Sequence, residues 1–568
     1  MSKSIVPIVL ALTVIATACA TPPTRQTTGA DRGAASTAPK RIVVAIMADP
    51  PIVAKILNPG SHWRGVEHLE ALLDAGLTRG GGGDRHAELA EAVPTVENGL
   101  WKVNPDGTME MRWTLKDGVQ WQDGSPFTTA DLIFTMQVGM DQDVPLFSTD
   151  PLFDHVASYE APDARTMVVR WKDPYIEADT LFGAGDQDGG LPLPKHLLET
   201  TYNSDKQALP DDPYFNQAHI GAGPFKLKNW EQGSHLTMTA YDHYVLGRPK
   251  IDEIEVRFIE DASTLQANLL AGAVDMTLGR NLSGPQTLEV KQRWTDGDTY
   301  LDYSSASIID TFVQLRDPDP AIMTDVTFRR AALTALDRQS MVEALAPGQS
   351  DVANSFIAPN QPQYRAIQDR YTVKYPYDPK KAVEMMRGIG YTMAADNTMR
   401  DGAGQPLGWQ VRTTGGDDLR EKIMLTSADN WKQVGMTVNT YVIPRQQASD
   451  REYRANFSAM EIVRQPADVR GLKNLHSRTT SLPENDYAGT GNRSRYFNPQ
   501  LDDLIDKVFV TIPLDQRREM MGQIDHILTT DLPFFMIMYG GGTYLVNHRI
   551  KNFQSDGPWN AYQWELAS

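Results

Sequence analysis

The chain has 568 residues, 41% of them hydrophobic, and carries 54 basic against 72 acidic residues for a net charge of −18. At ~150 residues per domain this is material for two to four folding units with sizeable cores. The acidic excess argues against nucleic acid or an anionic membrane surface as an electrostatic partner. Cys19 is the single cysteine, so no intramolecular disulfide forms and stability rests on core burial.

Lys3 precedes an apolar run from Ile5 to Cys19 that closes on the small residues Ala16-Thr17-Ala18. A basic start, a short apolar stretch and small residues at the cut are the layout of a secretory signal peptide. A spanning helix needs ~20 apolar residues, more than this run supplies. The end of the run resembles a bacterial lipobox, with Ala16 at the position where Leu is usual. The resemblance implies cleavage after residue 18, lipidation of Cys19 and a place outside the cytoplasm, with the lipid as the only membrane anchor. An ordinary signal peptide with an incidental cysteine is the alternative. Residues 19–40 are small, polar and Pro-bearing, the composition of a flexible tether.

Arg41 to Ile46 reads as a buried strand ended by Asp49-Pro50. Met109 to Leu115 and Val119 to Trp121 flank the hairpin-type turn Lys116-Asp117-Gly118. Thr129 or Ser125 then caps a helix through Leu132, Ile133 and Met136. Gly221 to Phe225 opens a β region, with strands over Leu236 to Thr239 and Ile254 to Phe258. A helix over Ser263 to Ala271 stops at Gly272. After residue 300 helices alternate with strands. Thr327, Asp337 and Asp378 cap three helices, and Leu419 to Val434 is a longer helix closed by Gly435 and followed by a strand to Ile443, an α/β unit. A strand is expected over Ala455 to Ile462, helices around Leu501–Val508 and Met520–Leu528, and a final buried strand over Phe534 to Tyr539.

Trp113-Thr-Leu-Lys-Asp-Gly-Val-Gln-Trp-Gln-Asp-Gly-Ser-Pro-Phe-Thr-Thr-Ala-Asp131 resembles the signature segment of the family 5 extracellular solute-binding proteins, the peptide/nickel-type receptors of ABC importers. Gly221-Ala-Gly-Pro-Phe225 onward to Trp230, Val326 to Arg338, Tyr377 to Ala382 with Gly390-Tyr391, and Asp531-Leu532-Pro533 resemble further blocks of that family, in the same order. The resemblance implies an α/β, two-lobed periplasmic-binding-protein-like fold with an extra N-terminal subdomain and a ligand cleft between the lobes. It places lobe one at about residues 41–290, the subdomain within it at about 75–215, lobe two at about 291–535, and a return to lobe one at about 536–568. Trp113, Trp121 and Phe127 are expected to fill the core.

Peptide-binding relatives typically hold the ligand's ammonium with an Asp in a Trp-x-x-Asp-Tyr-x-Asp-Pro-like segment of lobe two. The corresponding stretch here, Phe457 to His476, lacks the Trp and the Asp-Pro. Glu461 and Asp468 remain as carboxylate candidates, and Arg464 and Arg470 as clamps for a carboxylate or phosphate. By position, Asp49, Trp63, Arg64, Thr414 in the Thr413–Asp417 turn, and Tyr539 are further ligand-binding candidates. Nucleophile-elbow, zinc-helix, phosphate-loop and dinucleotide motifs are missing, and Asp186 to Gly190 lacks the ligands of a calcium loop. No enzyme activity, metal or cofactor is therefore expected. The expected partners are a small-molecule or short-peptide ligand and ABC permease subunits, met by a monomer. A receptor-fold lipoprotein used for sensing or chaperoning is the alternative, and a secreted hydrolase a more distant one.

Overall fold

The computed structural model describes the chain from Pro39, except positions 51, 54–64, 81–84, 142, 145–150, 185–189, 280, 360, 362, 416, 445–446, 448–449, 486, 488–490, 556 and 568, and the side chains of 66–67, 151 and 302–306. The signal run, Cys19, the 19–38 tether, Trp63, Arg64 and the Asp186–Asp188 turn lie outside the described residues.

Fourteen strands carry the fold of Lys40–Ser568. They are β1 (Arg41–Ile46), β2 (Trp101–Val103), β3 (Met109–Thr114), β4 (Val156–Glu160), β5 (Thr166–Trp171), β6 (Phe225–Glu231), β7 (His235–Ala240), β8 (Glu253–Phe258), β9 (Met276–Thr277), β10 (Gly297–Val313), β11 (Gly408–Thr414), β12 (Thr437–Ile443), β13 (Met460–Pro466) and β14 (Phe534–Asn547). Ten form one mixed sheet in the order β12-β11-β13-β10-β14-β9-β1-β8-β7-β6, and four form a second in the order β2-β3-β5-β4.

β1 is flanked in parallel by β8 and β9, and its apolar run is buried on both faces, Ile42, Val44 and Ile46 against Leu69, Leu72 and Leu73, and Ala45 against Leu265 and Leu269. A parallel strand covered on both faces needs such a continuous apolar run. β11, the helix Asp418–Gln433 and β12 form the βαβ unit legible in the sequence, with Gly435 at φ +83 ending the helix where a Cβ is disfavoured.

Two long strands join the halves of the large sheet. β10 and β14 run antiparallel, with Gly297–Asp302 against Gly542–Asn547 and Ser307–Phe312 against Phe534–Gly540. The register slips between these two stretches and again between Ile309 and Asp310, and the larger slip sets the level at which the pairing changes. On one side of that level β14 meets β9 through Val546 and Met276. On the other, β10 pairs with β13 from Ser307 to Val313. The chain passes between the two halves of the sheet here, between Asp302 and Ser307 and between Gly540 and Gly542.

The second sheet packs Trp113, Trp121, Phe127 and Trp171 with the helix Thr129–Met140 into a core of their own. Gln122 ties it to the large sheet: its Nε2 donates to the carbonyls of Leu73, Gly223 and Phe225, and its Oε1 accepts from Gly221 N–H. A Cβ on Gly221 or Gly223 would collide with the backbone of Leu73 and Asp74, which explains the glycines of that block.

Five local expectations are corrected. Met109–Thr114 pairs with β2 and β5, not with Val119–Trp121; the bridge after the Lys116–Gly118 turn is Gln120 to Pro126. Thr128 caps the helix that Thr129 begins, in a box with Asp131. Asp325, not Thr327, caps Val326–Thr334, because its carboxylate accepts from the N–H groups of Thr327 and Phe328. Ala455 ends a short helix, and the strand starts at Met460. β14 continues to Asn547 because it crosses into the other half of the sheet, and two short strands, Ile550–Lys551 and Glu565–Leu566, follow it.

Candidate functional site

β11 and β13 are parallel neighbours, and their register sets Arg412 opposite Glu461. Both are buried, Glu461 completely. Arg412 donates from Nε and Nη2 to Glu461 Oε2 at 3.1 and 2.9 Å. Arg454, from the helix Arg451–Ala455, and Arg493 donate to Oε1, the latter at 3.0 Å. Burial pushes the Glu461 carboxyl up, and Arg493, Arg454 and Arg412 outweigh it, so the group sits below its ordinary value and stays charged.

The carboxyl ends of these strands open on a cavity of about 450 Å3. Ligands of α/β sheets bind outside the carboxyl ends of the strands. Arg420, Arg454, Arg464 and Arg493 line it with Thr414 and Asn474, and Phe312 and Val463 supply apolar wall. No carboxylate is among its described lining residues. Arg454 Nη1 donates to Thr414 Oγ1 at 2.8 Å. Arg464 Nη1 donates to Ser307 Oγ at 3.2 Å, and its other arm is 4.0 Å from Asp417. Burial raises the Asp417 carboxyl, but Arg464 and Arg420 pull harder and hold it below the usual value. Under the cavity Asp310 contacts Gln465, and burial pushes its carboxyl well above the usual range.

Of the residues singled out in the sequence, Thr414, Glu461 and Arg464 come together here. Glu461 serves three arginines from behind the wall. The Thr413–Asp417 turn does not offer a bare helix terminus, because Asp417 accepts the N–H of Arg420 and Gly415 N–H donates to Ile443. Asp49 accepts from Gly233 N–H in the β6–β7 turn and lies outside the cavity lining. Tyr539 is core: its hydroxyl donates to the Ser355 carbonyl at 2.9 Å. Asp468 accepts from Gly471 N–H and pairs with Arg470.

Arg470 has a second role. Its Nε lies 3.7 Å from Glu177, which Lys473 also approaches at 3.7 Å. Ile176, beside Glu177, packs into the same apolar cluster as Ile308, Phe312 and Val463. The segment after β5 thus docks on the C-terminal half of the sheet. Among the described residues no group of three or more His, Cys, Asp or Glu is placed to hold a metal ion, and no helix is long and apolar enough to cross a membrane.

Residues 91–469 match the family of bacterial extracellular solute-binding proteins, family 5, and the chain belongs to that family. It is 25% identical to the oligopeptide-binding protein AppA of Bacillus subtilis over 341 residues, 60% of this chain and 59% of that one. The first curated relatives are matched over only half to three fifths of their length. The structure of that AppA in complex with a nonapeptide aligns with 94% of this chain and all of its own at 21% identity and a TM-score of 0.66. The structure of NikZ from Campylobacter jejuni in complex with Ni(L-His) aligns with 93% and 100% at 20% identity and a TM-score of 0.67. The fold is thus the two-lobed α/β fold of family 5.

Proposed function

We propose that the protein is the substrate-binding component of an ABC importer, held outside the cytoplasm by a lipid on Cys19. It captures a small polar or charged solute between two lobes that close on it, and delivers the solute to the permease. The lobes of this reading are the two halves of the large sheet, and β10 and β14 are the hinge strands. The observation that carries it is the cavity at the carboxyl ends of β11 and β13, beside the level where both hinge strands slip register. A rotation about two deformed strands brings lobes together without breaking either core. The relatives' ligands, a nonapeptide in one case and Ni(L-His) in another, leave the solute class open, and membership fits binding better than catalysis.

Small-angle scattering of the chain with and without its bound solute tests closure. A smaller radius of gyration in the complex supports the reading. A tight solute that leaves both the scattering curve and the melting temperature unchanged contradicts it. Release of Cys19→Ala protein into the medium tests the anchor.

A further inference from the structure

Among the described residues the cavity is lined by four guanidiniums and no carboxylate, in a chain whose net charge is −18. We propose that it receives an oxyanion of the ligand, a carboxylate or a phosphate. This assignment rests on the importer reading and narrows its solute class to anions.

Among the contacts described above, five arginines meet two carboxylates. Arg412, Arg454 and Arg493 share Glu461, while Arg464 and Arg420 share Asp417. Arg412, Arg454 and Arg493 thus share one carboxylate, which accepts about four hydrogen bonds, and the backbone carbonyls of Tyr453 and Arg454 take further donors without adding negative charge.

Geometry separates an anion site from a structural ion cluster. Glu461 sits behind the wall and is fully buried, so it fixes Arg454 and Arg493 while leaving their other donors toward the cavity. Thr414 and Ser307 orient Arg454 and Arg464 through hydroxyls, which add no negative charge. Planar forks held by a second layer of contacts suit bidentate capture of a carboxylate or phosphate. A cationic group here would meet four guanidiniums and, among the described lining residues, no carboxylate.

The test is calorimetry on the full chain, cleared of copurified solute by mild denaturation and refolding, with four probes: glycerol 3-phosphate, citrate, a free-acid tetrapeptide and the same peptide amidated. Maltose and spermidine are the neutral and cationic controls. The proposal expects at least one anionic probe to bind, with affinity falling as salt rises and dropping at least tenfold in Arg464→Gln, whose unliganded melting curve matches wild type. The phosphate, citrate and free-acid arms separate the sources of the oxyanion. Equal affinity for the amidated and free-acid peptides, or binding of maltose or spermidine that survives Arg464→Gln, overturns the anion site and leaves the receptor reading standing. Failure of every probe to bind overturns the anion site as well. The receptor reading then falls only if small-molecule extracts also cause no closure by scattering.

Discussion

Gly540 on one hinge strand leaves the space that the guanidinium of Arg464 occupies. A Cβ on Gly540 would strike Arg464 Nη1 and, beside it, the hydroxyl of Ser307. Ser307 is paired with Gly540 across β10 and β14, at the edge of the register slip. One cavity arginine therefore rests on both strands at the level where the hinge is placed.

Gly540→Ala forces the end of a flexible side chain to move, not a backbone. The expected result is a melting temperature near wild type with affinity for an anionic probe reduced about tenfold, or ~1.4 kcal/mol. Calorimetry beside a thermal melt checks this. Unchanged affinity would place Arg464 outside the ligand's reach.

Glu461 holds three arginines from a fully buried position. Removing the anion leaves the buried Arg412 without its partner. Glu461→Ala is therefore expected to destabilise the fold by ~3–5 kcal/mol, read by urea unfolding. A loss below 1 kcal/mol would mean that water or a neighbour replaces the carboxylate.

These residues also mark what the sequence discloses and what it hides. Arg412 stands inside the apolar strand Gly408–Thr414, and Glu461 inside Met460–Pro466. A charge within a buried β run calls for a partner, and that much is visible in the chain. The partner's identity is not, because it depends on the register of β11 against β13. Arg420, Arg454 and Arg493 lie on a helix start, a five-residue helix and a loop, with nothing local to join them. Asp49 and Tyr539 fall on expected elements, but a hairpin turn and a carbonyl engage them. The α/β unit, Gly272, Gly435 and the Asp337 and Asp378 caps were legible because they are local chemistry. The Met109–Leu115 hairpin failed because β3 finds a better partner 50 residues on, in β5.

Glu88 is buried beside the core of the four-stranded sheet, where it accepts from Gly76 N–H and from the Tyr244 hydroxyl. Burial pushes its carboxyl up to about 7 against these bonds. A carboxyl raised on folding contributes stability that is fully present below its unfolded value, near 4.5, and is lost as pH rises to about 7. The expected contribution is on the order of 3 kcal/mol across that window. Comparing unfolding of wild type and Glu88→Gln at several pH values isolates it. The variant should show a flatter profile between pH 4.5 and 7, and parallel profiles would contradict the assignment.

Glu177 joins the subdomain segment to Arg470 and Lys473 of the opposite half, with Ile176 packed beside it. If the halves are lobes that open, this contact must break. Glu177→Ala with Ile176→Ser is expected to enlarge the radius of gyration of the unliganded chain and to weaken solute binding several-fold. An unaltered scattering curve would place the contact outside the moving interface.

Native mass spectrometry of protein released from its own membranes, without unfolding, tests the central claim most directly. The account predicts one noncovalent adduct per chain, with a mass on the order of a few hundred daltons as a cavity of this size admits, lost on denaturation and acidic in character. A bare chain mass that does not change after exposure to a small-molecule extract of the same cells would contradict it.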